Sequence, residues 1–192
     1  VPETKVEKAI KTFREILERF PCWYQEEEDL RNILYLELRK EYEEMEEPTQ
    51  GIGLVHCEMG WFKEKERYDI IIFDKNSLEE AINKREISQD WIIIRERKRR
   101  PPSLRISCAI EITQGYSTRE GKITEDEKKK ILRALERLKK LEQQATELHL
   151  IYVHRTYPQQ TQRLKAELGE FAKSLDLGRV TFHPIFLEII QR

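Results

Sequence analysis

The sequence predicts an α/β fold, a mixed central β-sheet flanked by α-helices. Three features predict it. Two amphipathic helical stretches come first, the run Ile70-Ile71-Ile72-Phe73 is apolar on both faces, and the last third alternates helical and strand periodicity. An apolar run without alternation marks a strand covered on both sides.

Val6, Ile10, Phe13, Leu17 and Phe20 recur at steps of four and three, one face of a helix that Pro21 ends. A second helix is expected from Glu26 to Glu46 with Leu30, Leu34 and Leu38 on its buried stripe, closed by Pro48 and Gly51-Ile52-Gly53. Gly53 to Met59 is expected to pair with Arg67 to Phe73 through a turn around Lys63 to Glu66. Ser77-Leu78-Glu79-Glu80 has the form of a capping box and predicts a short helix from Leu78 to Lys84. Trp91 to Ile94 is a further β-branched run, and Pro101-Pro102 precedes a strand from Leu104 to Thr113. Thr124-Glu125-Asp126-Glu127 is a second capping box, opening a helix with Ile131, Leu135 and Leu138 on one face. Leu148 to Val153 reads as a buried strand, and Leu164, Leu168, Phe171 and Leu175 mark a helix. Val180 to Leu187 reads as a last strand, which Pro184 pushes to the sheet edge.

With 192 residues, one domain is the default. Residues 1–24 are expected as a helical extension, 25–155 as the core, and 156–192 as a closing helix and strand. Charged residues make up 37% and hydrophobic residues 39%, which suits a folded chain with a heavily charged surface. No apolar run reaches the roughly 18 residues needed to cross a bilayer. Val1 to Phe13 lacks the apolar core of a signal peptide, so a cytoplasmic location is expected. Cys22, Cys57 and Cys108 are odd in number and lack metal-ligand spacing, so neither zinc nor a disulfide framework is expected and reduced, mostly buried thiols are.

The net charge of −1 gives no global nucleic-acid footprint, yet Arg95 to Arg100 reads RERKRR, a local basic loop that can meet phosphate. Between Arg105 and Thr113, Ile106, Cys108, Ile110 and Ile112 share one strand face and Arg105, Ser107, Ala109, Glu111 and Thr113 the other. A carboxylate such as Glu111 is costly on so apolar a strand without a partner or a metal. Asp69 opens the apolar run under the same constraint. Together they make an oxygen-rich environment that suits Mg²⁺ or Mn²⁺.

Arg67-Tyr68-Asp69-Ile70-Ile71-Ile72-Phe73-Asp74, followed by Ala109-Ile110-Glu111-Ile112-Thr113, resembles the PD-(D/E)XK nuclease superfamily, the restriction-endonuclease-like fold. The resemblance spans about Glu26 to Val153 and implies a three-layer fold. It also implies that Asp69, Glu111 and the carbonyl of Ile112 hold Mg²⁺, which lowers the pKa of an attacking water. Glu27 or Glu37 on the upstream helix, or Glu58 on the first strand, would add an acid. The chain departs from the pattern at Thr113, where the family carries a lysine. Lys122, Lys129, Lys130 and Lys65 are the candidates to replace it, with Lys122 the first choice, and Gln114 offers a weaker polar contact. DNA is the expected partner, met by Arg67 and by Arg95, Arg97, Lys98, Arg99 and Arg100. Such enzymes often pair to cut two strands, which makes a homodimer an expectation, although no segment announces an interface.

His56, His149, His154 and His183 are scattered, and no serine sits in a nucleophile elbow or P-loop context. His154, at the end of its strand, is expected as a satisfied core or edge histidine, with reach to the site as the alternative. Three functions are therefore weighed: a Mg²⁺-dependent endonuclease, a catalytically silent binding module of the same fold, and an accessory protein whose charged helices meet a partner.

Overall fold

The computed structural model describes residues 2–21, 26–42, 53–60, 67–87, 104–116 and 121–189. The run Trp91–Ile94, the basic loop Arg95–Arg100 and Lys65 lie outside them.

Helix α1, Lys5–Arg19, opens on a capping box in which Glu7 N donates to Thr4 Oγ1 at 3.2 Å and Thr4 N donates to Glu7 Oε2 at 2.8 Å. It buries Val6, Ala9, Ile10, Phe13 and Leu17. Helix α2, Glu27–Tyr42, starts on three acids, Glu27, Glu28 and Asp29, placed at the positive end of its dipole. Strands β1, Val55–Gly60, and β2, Arg67–Phe73, pair antiparallel as expected. Helix α3, Lys75–Asn83, begins earlier than the Ser77 box predicts. Asp74 is the cap, its Oδ1 accepting from Ser77 N at 2.8 Å, and Ser77 lies inside the first turn.

Strand β3, Ile106–Tyr116, runs three residues past the expected end and is buried as far as Gly115. Helix α4, Glu125–Lys139, keeps its expected box between Thr124 and Glu127. Strand β4, Ala145–Thr156, is longer than expected, helix α5 spans Pro158–Ser174, and β5 spans Val180–Glu188. The five strands lie in sequence order, β1 to β5. β2 is antiparallel to β1 and β3, while β3, β4 and β5 are parallel. This is a mixed α/β sheet flanked by helices, and β5, with Pro184, forms an edge. One cluster of buried apolar side chains reaches from Val6 of α1 to Leu187 of β5. Among the described residues no helix is long and apolar enough to cross a membrane.

Glu127 fixes α4 against β3. Its Oε2 accepts from Thr124 N at 2.7 Å within the box, and its Oε1 accepts from Tyr116 N at 2.8 Å across the gap. Gly115 sits under that carboxylate: a Cβ there would stand 2.5 Å from Glu127 Oε1 and 2.6 Å from His154 Nδ1, and would also collide with the Tyr152 hydroxyl. His154 and Tyr152 are fully buried and joined through Nδ1 and the hydroxyl at 2.6 Å, so neither ring can give way. Gly115→Ala is therefore expected to cost about 1–3 kcal/mol by overpacking. Gly169, on the exposed side of α5 with open space around it, provides the opposite sign. Gly169→Ala should stabilise by roughly 0.5–1 kcal/mol through helix propensity. Denaturant melts of the two variants check both signs.

Candidate metal and anion site between β2, β3 and α4

β2 and β3 stay paired through Ile70 and Ile110, which brings Asp69 and Glu111 to the next position along. There the ladder gives way to a side chain: Ile112 N donates to Asp69 Oδ2 at 2.8 Å. That charge-assisted bond holds the Asp69 carboxylate beside Glu111.

Glu111 is completely buried. Arg137 Nη2 of α4 lies 2.5 Å from its Oε2, a buried ion pair. Burial, and then the Asp69 charge, push the Glu111 carboxyl well above the usual range, while Arg137 pulls it back. Asp69 Oδ1 faces Arg31 Nη1 of α2 at 3.4 Å, and the same nitrogen lies 3.0 Å from Glu58 Oε1. Glu58 stands between the paired residues Cys57 and Met59 with φ 49°, a left-handed backbone that a non-glycine residue adopts at a cost. Arg31 thus ties Glu58 and Asp69 together.

Glu27 opens α2 at the edge of this cluster. Burial first, and Asp69 second, raise its pKa, while Lys130, Arg137 and Arg31 lower it. Glu27 also lines a cavity of about 520 Å³ together with a second acid, Glu136, and with Ile112, Thr113, Lys130, Arg133, Arg137 and Lys140. The four cations come from α4 and the residue that follows it, at steps of three, four and three, which align them on one helix face. The four cations outnumber the two acids, Glu27 and Glu136, that line the cavity with them.

The structure divides the expected site residues into two groups. Asp69, Glu111, Ile112, Glu27 and Glu58 come together. Glu37 does not: it pairs with Lys40 at 2.7 Å and lies ten residues, about 15 Å of helix, beyond Glu27. Of the lysines, Lys130 lines the cavity with Thr113, whereas Lys122 and Lys129 are exposed and not among its lining residues. Lys129 is 3.7 Å from Asp126. Gln114 contacts Tyr116, and His154 lies under Glu127 rather than beside Glu111. Arg67, with its side chain 71% exposed, reaches toward Glu58 at 3.8 Å, and its carbonyl accepts from Arg137 Nη1 at 3.4 Å. The basic loop residues Arg95, Arg97, Lys98, Arg99 and Arg100 lie outside the described residues.

Sequence reasoning missed Arg31, Arg133, Arg137 and Lys140. The last three carry a legible signal, the cationic stripe of α4. Arg31 carries a weaker one, its place one turn after Glu27.

A second cluster lies on the other face of β3. Among the described residues, one set of three metal-ligating side chains, Cys108, Glu147 and His149, has ligand atoms within 4.8 Å of one another, and this set could hold a metal ion. It was not expected from the cysteine spacing, because the parallel β3–β4 register, not proximity in the chain, sets Cys108 opposite Glu147.

Comparison with known proteins found no matching family model, no matching curated protein and no matching solved structure.

A buried carboxylate with a raised pKa contributes stability below its unfolded pKa and loses it as pH rises toward the folded value. Glu111→Gln, a mimic of the protonated acid, is therefore expected to melt above the wild type at pH 8 in chelator. The gap should close as pH falls toward the ordinary carboxyl value of 4.5. A loss of about 3–5 kcal/mol at every pH would instead mark Glu111–Arg137 as a structural pair.

Proposed function

We propose that the protein is a Mg²⁺- or Mn²⁺-dependent endonuclease of the restriction-endonuclease-like fold, hydrolysing phosphodiester bonds of DNA. The observation that carries this proposal is Glu111. Its carboxylate is fully buried, burial and the Asp69 charge raise its pKa, and it stands beside Asp69 next to a cavity lined by four cations and two acids. The element order also supports it. An upstream helix, an antiparallel meander carrying Asp69, and a β-α-β unit carrying Glu111 follow the resemblance in the sequence.

The donor set fits a hard divalent ion. Mg²⁺ is bound through one or two carboxylates, keeps several waters and shares substrate phosphates, so two acids and the Ile112 carbonyl suffice. Such an ion would polarise a phosphate oxygen and make a bound water more acidic. The chain's own residues do the rest. Asp69 is oriented by Ile112 N and by Arg31. Lys130 and Arg133 offer positive charge to a phosphate at the place where Thr113 cannot. Glu27, its pKa raised, is suited to take a proton.

A silent binding module of the same fold is the second reading, favoured by one observation. Arg137 already supplies Glu111 with a positive charge that a bound ion would otherwise supply.

A cleavage assay on plasmid and oligonucleotide DNA with Mg²⁺ and Mn²⁺ separates the two. The nuclease reading expects metal-dependent cleavage that Asp69→Ala abolishes and that Lys130→Ala lowers by about a hundredfold or more. Absence of cleavage, with DNA binding that weakens steeply with salt and is lost on Arg133→Ala, would establish the binding module instead.

A further inference from the structure

Glu147 and His149 are two residues apart on β4 and so share one face, and the β3–β4 register places Cys108 across from Glu147 on that face. Glu111 is three residues on from Cys108 and faces the other way, so this cluster is separate from the acid pair. Cys108 is 1% and His149 4% exposed, whereas the Glu147 side chain is 34% exposed, which leaves one approach from solvent. His149 Nε2 lies 3.2 Å from Glu147 Oε2. Its other nitrogen, Nδ1, lies 2.9 Å from Nε2 of His183 on β5, with the two rings stacked at 25°.

We propose that Cys108, Glu147 and His149 form a three-ligand site for a zinc-class transition-metal ion, with His183 as the residue that orients His149. The donors select the ion. Thiolate and imidazole suit Zn²⁺ and its neighbours and disfavour Mg²⁺, which takes oxygen. The spacing agrees as well. Bonds of about 2.0–2.2 Å from a tetrahedral ion to nitrogen and oxygen put those two ligands roughly 3.3–3.5 Å apart, close to the separation of His149 and Glu147. When Nε2 binds the ion, Nδ1 carries the proton and donates it to His183 Nε2, the outer hydrogen bond that ligating histidines characteristically make. Without an ion the same chain is satisfied in reverse, His183 donating to His149 and His149 to Glu147. Metal binding therefore reverses the hydrogen-bond direction and releases the Cys108 thiol proton. Three protein ligands leave a fourth position for water or an exchangeable ligand on the Glu147 side.

Co²⁺ titration of the full chain under reducing conditions tests the site, because thiolate ligation gives a charge-transfer band in the near ultraviolet. The wild type is expected to bind one equivalent with that band, and Mg²⁺ in excess should not remove it. Cys108→Ser should abolish the band, Glu147→Gln, at a partly exposed position, should weaken binding, and His183→Gln should weaken it about 10–100-fold while the band remains. Absence of the band in the wild type, or a band that survives Cys108→Ser and so belongs to another thiol, would overturn the proposal. Affinity unchanged in both Glu147→Gln and His183→Gln would overturn it equally, and those two variants keep the test decisive should Cys108→Ser fail to fold.

Discussion

The bond from Ile112 N to Asp69 Oδ2 is the constraint on which the acid pair depends. From Ile72 and Cys108 to Ile70 and Ile110 the two strands are held by an antiparallel backbone ladder, which is indifferent to side-chain identity. One step further a carboxylate takes the place of a backbone acceptor. That substitution keeps the Ile112 amide satisfied where pairing stops, and it commits Asp69 to a fixed position next to Glu111. The register thereby turns two separate strand residues into a pair of acids sharing one buried space.

Two such acids repel, and burial removes the water that would screen them. The fold answers with guanidinium groups from either side, Arg31 from α2 to Asp69 and Arg137 from α4 to Glu111. Arg31 also reaches Glu58 at 3.0 Å. The Arg137 contact offsets the charge of Glu111, while burial and Asp69 still favour its neutral form. The position of α4 is set independently by Glu127, which caps the helix and grips Tyr116 N. The cationic stripe is thus aimed by a contact that lies outside the site.

The parts of this arrangement legible in the sequence are those written in local pattern. β2 was bounded to the residue, from Arg67 to Phe73, because its apolar run is unbroken and flanked by charge. The Thr124–Glu127 box fixed the start of α4. At Ser77 the same motif misled, because Asp74 is a competing cap three residues earlier. β3 outran its expected end because Gln114 and Gly115, poor strand formers, are held by the parallel pairing with Val153 and His154. Asp69 and Glu111 could be singled out as misplaced charges. Arg31 and Arg137 sit at legible helix spacings, but their contact with these acids is set by the fold. The choice among lysines turned on helix phase: Lys130 shares the face of Arg133 and Arg137, and Lys122 precedes the helix. The Cys108, Glu147 and His149 cluster was hidden for a stronger reason, because only strand register brings residues so far apart in sequence together.

The most direct test of the central claim, that Asp69 and Glu111 wait for a divalent cation, is paramagnetic line broadening by Mn²⁺ in amide-resolved NMR. Substoichiometric Mn²⁺ should broaden the amides of Asp69, Glu111, Ile112 and Thr113 first, Mg²⁺ should reverse the effect, and Glu111→Gln should eliminate it. Broadening confined to exposed acids such as Glu125 and Asp126, or unchanged in Glu111→Gln, would contradict the account.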